Sequence, residues 1–420
     1  MKDIWWINPG KLTLLFVVPV YLLVVFVVPS AWPELIVLKS GFYIHGWYAL
    51  YGLFLLTVLG VCGLIGARVT VDARQSGSSI AARPLLLAVF GVMIIAAYVI
   101  WFYPVLLTGK FTADRRAMNV TPGITSFTQL GVPFTAAYLS SRLLEGERFT
   151  RLIRAQFWLI LGLTLVRVQL WGERLAIIEV AVPLAVLVLT HQTPRSALGR
   201  FTFRIAAALG PFLGIPVLLA AFTLTEYFRS WTVYSQTQNI GLVDFMVSRL
   251  VTYYFTALNN GAGMLVTQEG RWPTFDFYNI LAWMYTLPLG IGAAAQELLL
   301  RHGPPGIEFL VRWADVEFNN LSGVFPIVYD IGFIGAALYF SVFGFVAGIV
   351  YRSMVNGRVL GLLFYGPIYV ASLEVLRISY LNGSRAVLVV VGSAALYFQA
   401  RTSRAYLVRQ ADFTQRSRPA

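Results

Sequence analysis

Along this 420-residue chain, stretches of roughly twenty residues pass again and again with almost no charge. A bilayer core about 30 Å thick requires that length of helix. The runs lie at 12–29, 45–66, 84–103, 121–141, 154–170, 174–191, 205–225, 331–350, 359–376 and 385–400. The expected fold is therefore all-α and integral to the membrane, with about ten transmembrane helices. Composition agrees, because only 12% of residues are charged while 58% are hydrophobic, and mean hydropathy is +0.72. A soluble domain carries about twice that charged fraction.

The formal net charge of +13 raises nucleic acid as a partner. The arginines, however, sit in short loops between apolar runs, where orientation against the membrane potential explains them, and no soluble basic domain is present. Arg68, Arg74 and Arg83 mark one such loop, Arg142, Arg148, Arg151 and Arg154 the next, then Arg195, Arg200 and Arg204, then Arg352 and Arg358, and finally the tail from Arg401. These alternate loops and both termini are expected in the cytoplasm. The single cysteine, Cys62, lies mid-span, so an internal disulfide or thiolate cluster is excluded.

Three regions follow: helices one to seven over 1–225, a long outward-facing segment over 226–330, and helices eight to ten with a basic tail over 331–420. The middle segment is too long for a passive connector. Within it, Phe245, Leu250, Tyr254 and Leu258 recur near helical spacing, as expected for a helix lying on the membrane interface. The apolar run 280–295 is broken by Pro288 and reads as re-entrant or packed in the interface.

The chemistry-bearing residues gather at this outer side. Arg167 and Arg174 flank a very short turn, Arg249, Arg271 and Arg312 lie in the long segment, and Arg377 and Arg385 bracket the last outer turn. Arginine grips diphosphate bidentately, or else snorkels to headgroups or pairs, as Arg174 would with Glu173 or Glu179. Among the carboxylates Asp244, Asp276, Asp315, Glu317 and Asp330, the last stands at the mouth of an apolar helix beside Tyr329. There it either takes a proton from an attacking hydroxyl or caps the helix. Asp315 and Glu317 form a D-x-E, a metal signal of low specificity. Aromatics such as Tyr254, Phe275 and Phe277 stack on sugar faces or anchor the segment at headgroup level. There is no Walker A loop, H-E-x-x-H or G-x-S-x-G.

Asn319-Asn320 followed by Tyr329-Asp330-Ile331-Gly332-Phe333-Ile334-Gly335 and an uninterrupted span resembles the Wzy-type O-antigen and oligosaccharide repeat-unit polymerases. The looser matches are Gly172-Glu173-Arg174, Leu258-Asn259-Asn260 at the end of a Tyr-rich helix, and Arg377, Tyr380 and Asn382 in a late outer turn. The resemblance implies a GT-C-like inverting glycosyltransferase of the inner membrane. It would join undecaprenyl-diphosphate-linked repeat units on the periplasmic face, without metal or other cofactor, alongside a chain-length regulator. It further implies Arg174, Asp330 and Glu317 as catalytic, and Arg249, Arg271, Arg312, Asn319, Asn320, Tyr329, Tyr254 and Arg377 as substrate-binding. An O-antigen ligase shares this architecture. A transporter or flippase would instead show inverted repeats and mid-span charges, and neither is evident.

Overall fold

A computed structural model describes residues 4–36, 41–69, 84–108, 123–147, 149–171, 173–192, 194, 196–226, 231, 235, 241–286, 291–299, 305–315 and 317–416. Among them the chain is helical, and its β-contact is the isolated bridge Ser322–Ile378. The helices are α1 Pro9–Ala31, α2 Gly46–Arg68, α3 Pro84–Thr108, α4 Gly131–Ser140, α5 Arg151–Trp171, α6 Arg174–His191 and α7 Ala197–Glu226. They continue as α8 Leu242–Thr267, α9 Ala282–Tyr285, α10 Ile291–Leu299, α11 Pro305–Trp313, α12 Phe325–Val355, α13 Val359–Leu373 and α14 Ser384–Arg416.

Five helical stretches among the described residues are long and apolar enough to cross a membrane: Pro9–Ala31, Gly46–Arg68, Pro84–Tyr103, Ala197–Val217 and Phe325–Val355. The other expected spans take different forms. The 121–141 run yields only the ten-residue α4, entered through a 3-10 stretch at Thr125–Leu130 and left through a π turn at Ser141–Glu145. Helix α5 has the length, at 21 residues, but carries Arg151, Arg154, Gln156 and Arg167. Leu175–His191 and Val359–Leu373 are apolar but shorter.

Helix α1 shows how prolines are tolerated at such depth. Pro19 and Pro29 lack the N–H that would reach back one turn, and each is preceded by a π turn, Thr13–Val17 and Leu23–Val27, that widens the coil ahead of the ring. Asn8 begins the helix by accepting from the N–H groups of Gly10 and Lys11 at 3.0 and 3.1 Å.

The centre of the bundle is the crossing of α2 with α12. Gly344 and Gly348 lie against α2 so closely that a Cβ at Gly348 would collide with the Gly63 carbonyl, and one at Gly344 with the Leu59 carbonyl. Small residues allow this backbone approach in a medium that offers no hydrophobic drive between helices. Gly348→Leu is therefore expected to force the pair apart and cost about 3 kcal/mol, read as a lower melting temperature in detergent. Gly214→Ala, with open space around it, serves as the neutral control.

Two ends of the bundle differ in character. At one end the Leu35 carbonyl accepts from Ser248 and Thr252, Asn259 accepts from the backbone of Tyr43 and Ile44, and Arg377 reaches Tyr253. Helix α8 is thus packed on Leu35, on the backbone of Tyr43 and Ile44, and on Arg377. At the other end Gly361 N donates to Ser353 Oγ, and Gly357 meets Leu144. One hydrophobic core runs from Ile4 to Ala400 and includes Phe255, Leu258 and Phe309 of the long segment.

Helix α8 departs from expectation. The apolar spacing did mark a helix, but Phe255 to Leu265 are buried on every side. Its second half is an internal strut rather than a helix lying on an interface. The 280–295 run forms the short α9 and the start of α10, separated by residues outside the described set.

Candidate functional site

The Tyr-Asp-x-Gly tract breaks its own helix. Gly332 has φ 71° and ψ 179°, a conformation essentially confined to glycine, so α12 is two helices joined at this residue. In an unbroken helix the carbonyls of Tyr329 and Asp330 would accept from residues 333 and 334. Here they accept instead from Thr274 N at 3.2 Å and Phe275 N at 2.9 Å. Pro273 lies against Gly332, with its Cγ 3.4 Å from where a Cβ would stand.

The Asp330 side chain completes the join. Its Oδ2 accepts from the backbone N–H of Asn279 and Ile280 at 2.7 and 2.8 Å, and its Oδ1 accepts from Asn279 Nδ2 at 2.7 Å. The residue is fully buried. Asp330 therefore does not cap α12, the role weighed for it against proton transfer. Ser322 Oγ takes the N–H groups of Val324 and Phe325 at the start of that helix, while Asp330 pins the 273–281 loop from the side. Tyr329 is buried beside it and donates to Gln268 Oε1 at 2.8 Å.

The pinned loop presents an unusual turn. Phe275 and Phe277 have φ of 54° and 57°, left-handed values that a bulky side chain avoids, and they are 62% and 41% exposed. Between them, Asp276 Oδ1 accepts from Thr274 Oγ1 at 2.8 Å and Tyr278 N at 3.1 Å. Tyr285 donates to the Asp276 carbonyl at 2.8 Å, and its ring is tilted against that of Tyr278 with centroids 5.0 Å apart. Burial, then the Asp276 carboxylate, then Asp330, push both phenols up, so both remain donors. A cavity of about 370 Å³ opens here.

The arginines fall into three groups. Arg271 and Arg312 are 60% and 67% exposed and share one carboxylate, Glu308, at 3.9 and 3.2 Å. Arg271, Glu308, Asp276 and Asp330 all lie within electrostatic reach of Tyr329, which places Arg271 and Glu308 beside the pinned loop. Arg249 and Arg377 form a second, more enclosed group. Arg249 holds Glu317 at 2.6 Å and covers the Phe318 ring at 5.0 Å, whereas Arg377 holds Glu374 at 2.6 Å and reaches the Tyr253 hydroxyl at 3.1 Å. Tyr253 and Phe318 join the two pairs, with ring centroids 6.1 Å apart. Burial opposes the charge on Arg377, but Glu374, through its charge and its hydrogen bond, together with Tyr253 and Tyr254 outweighs it, so the Arg377 pKa is raised.

The third group stands at the turn between α5 and α6. Arg167 Nε donates to Glu173 at 2.5 Å, with its guanidinium over the Trp101 ring at 4.4 Å. Arg385 holds Glu179 through two bonds of 3.0 and 2.9 Å and lies 3.7 Å from Glu173. Among the described side chains, Glu173 and Glu179 have Arg167 and Arg385 as partners; the other partner weighed for either glutamate is Arg174. That residue begins α6, and its side chain lies outside the described residues, as does Gly172.

The remaining candidates are framework or surface. Asn319 is exposed, and Asn320 lends its carbonyl to Asn260 Nδ2, which also holds the Phe318 carbonyl at 2.8 Å. Tyr254 is half-buried, its phenol pushed up by burial and then by Glu374. The D-x-E residues diverge: Asp315 Oδ1 accepts Glu317 N at 2.9 Å, while the Glu317 carboxylate turns to Arg249. Glu308, which ties Arg271 to Arg312, was missed. Its signal was the i, i+4 spacing to Arg312 on one helix face. Comparison with protein-family models, curated proteins and solved structures finds no match.

Proposed function

We propose that this chain is a membrane glycan polymerase that joins polyprenyl-diphosphate-linked oligosaccharide units at the end of the bundle carrying the 241–325 segment. In this reading the chain crosses the bilayer about ten times with a GT-C-like arrangement. The arginine-rich ends, Arg142, Arg151, Arg200 and Arg352 among them, face the cytoplasm of the inner membrane, and the site faces the periplasm. The donor is the growing chain on its lipid diphosphate. A hydroxyl of the acceptor unit attacks the donor's anomeric carbon from the face opposite the diphosphate. The bond from that carbon to the diphosphate oxygen breaks, the new glycosidic bond forms with inversion, and the hydroxyl proton passes to a carboxylate or to water.

Arg271 and Arg312 bind the diphosphate and stabilise the charge it acquires on leaving. Arg249 and Arg377, each already paired with a glutamate, hold the floor of the site in shape. The observation that most supports the reading is the exposed Arg271–Glu308–Arg312 cluster, two guanidiniums sharing one carboxylate beside a loop held on a broken membrane helix. Such a cluster keeps a surplus positive charge where a lipid diphosphate can reach it.

The test is the length of the surface glycan in cells. Replacing both Arg271 and Arg312 by alanine is expected to cut polymer by about 100-fold at normal membrane abundance, leaving glycan of a single repeat unit on the surface. Complete disappearance of the glycan, single units included, would contradict the reading and point to transport.

A further inference from the structure

We infer that the Thr274–Phe277 turn is a saccharide subsite, in which Phe275 and Phe277 stack on pyranose faces and Asp276 accepts hydrogen bonds from sugar hydroxyls. The choice of a saccharide rests on the polymerase reading above. The turn itself argues for a ligand of this chemistry.

Phe275 and Phe277 hold a backbone conformation that glycine or asparagine would adopt with less strain, and each spends it on directing a large ring outward. Among the described residues neither ring stacks on another aromatic side chain, and both are exposed. Phe275 N is fixed by the Asp330 carbonyl, and the turn is closed by Thr274 and Tyr278 on Asp276, whatever side chains stand at 275 and 277. Strain of this kind persists where the surroundings over-determine it, and the surroundings here are the five hydrogen bonds that pin the loop on α12.

Asp276 supplies the polar half. Among the described residues both of its side-chain donors reach Oδ1 and none reaches Oδ2, so one carboxylate oxygen is left to meet a hydroxyl. The cavity of about 370 Å³, lined also by Tyr285 and Met284, falls in the range of small-molecule sites. An aromatic pair flanking an open carboxylate suits a sugar, which has an apolar face of C–H groups and a rim of donors. It does not suit the diphosphate, which the Asp276 charge repels. Arg271 is three residues away along the chain, so phosphate and sugar ends of one lipid-linked unit find opposite chemistries side by side.

The experiment uses the full-length protein in nanodiscs. The probe is the water-soluble glycan released by mild acid from the surface polysaccharide of cells that express it, with dextran as the control glucan, and binding is followed by titration calorimetry. The wild type is expected to bind the released glycan. Phe275→Gly and Phe277→Gly should each weaken binding by about tenfold while the melting temperature holds or rises, because glycine relieves the left-handed residue. Phe275→Trp should retain binding, and Asp276→Asn should weaken it at an unchanged melting temperature. Absence of binding by the wild type, or wild-type affinity in both glycine variants, would overturn the subsite. The two proposals separate cleanly. Glycan binding that depends on Phe275 in a protein that builds no polymer leaves the subsite standing and removes the polymerase. Normal polymer together with wild-type glycan affinity in both glycine variants does the reverse.

Discussion

Asp330→Ala should all but abolish polymer formation and lower the melting temperature, whereas Asp330→Asn should keep activity within about tenfold of the wild type. The difference follows from which groups the carboxylate serves. Alanine leaves the buried N–H groups of Asn279 and Ile280 with no acceptor, at about 1–3 kcal/mol each, so the loss is on the order of 4 kcal/mol. Asparagine places one carbonyl oxygen at the Oδ2 position and keeps both. Its amide then faces the Asn279 side chain, which turns over to accept. What disappears is the charge, and with it part of the strength of three charge-assisted bonds. If Asp330 instead took the acceptor's proton, Asp330→Asn would be as dead as Asp330→Ala while melting normally. Melting curves in detergent and glycan length in cells, measured on the same two variants, decide between pinning and proton transfer.

The second large effect is expected at Gly332. The space around it would admit a methyl group, since a Cβ would lie 3.4 Å from Pro273 Cγ, but φ 71° with ψ 179° would not. Gly332→Ala carries about 1–3 kcal/mol of backbone strain at that conformation. The chain can escape it by straightening α12. A straight helix reclaims the Tyr329 and Asp330 carbonyls for its own ladder and strips Thr274 and Phe275 of their acceptors. Polymer formation should fall by at least about tenfold, a shift of roughly 1.4 kcal/mol in transition-state stabilisation, at near-normal membrane abundance. Hydrogen exchange at Thr274 and Phe275 reports the mechanism: their amides should lose protection in Gly332→Ala and keep it in Gly214→Ala.

Much of this was legible in the sequence, for reasons that can be named residue by residue. Long charge-free runs have few alternatives to crossing helices, and a carboxylate set against the start of one, as at Asp330, is too costly in hydrocarbon to be incidental. The tract Tyr329-Asp330-x-Gly332 was recognisable as the place where polar chemistry meets a span. Its consequence was not, because glycine occurs 36 times in this chain and nothing in the local pattern marks Gly332 as the one that breaks α12. The left-handed Phe275 and Phe277 run against residue preference, so propensity points away from them. Ion pairs such as Arg249–Glu317, from α8 to the turn before α12, and Arg385–Glu179, from α14 to α6, join residues 68 and 206 positions apart. They depend on helix registers that hydropathy leaves undetermined. The burial of α8 escaped for a related reason: its first half shows an amphipathic spacing, but small residues at Gly261, Ala262 and Gly263 let its second half be enclosed on all sides.

The central claim, that one polypeptide joins lipid-linked glycan units, is tested most directly by reconstitution. Purified protein in nanodiscs, given only a polyprenyl-diphosphate-linked oligosaccharide repeat unit, without nucleotide sugar and without lipid A core, is predicted to build a ladder of longer lipid-linked glycans. The ladder should survive EDTA if, as proposed, arginines rather than a divalent cation stabilise the leaving diphosphate, and it should collapse to the starting unit when Arg271 and Arg312 are both alanine. A product that forms only when lipid A core is supplied, or no product while the intact unit moves between leaflets, would contradict the account.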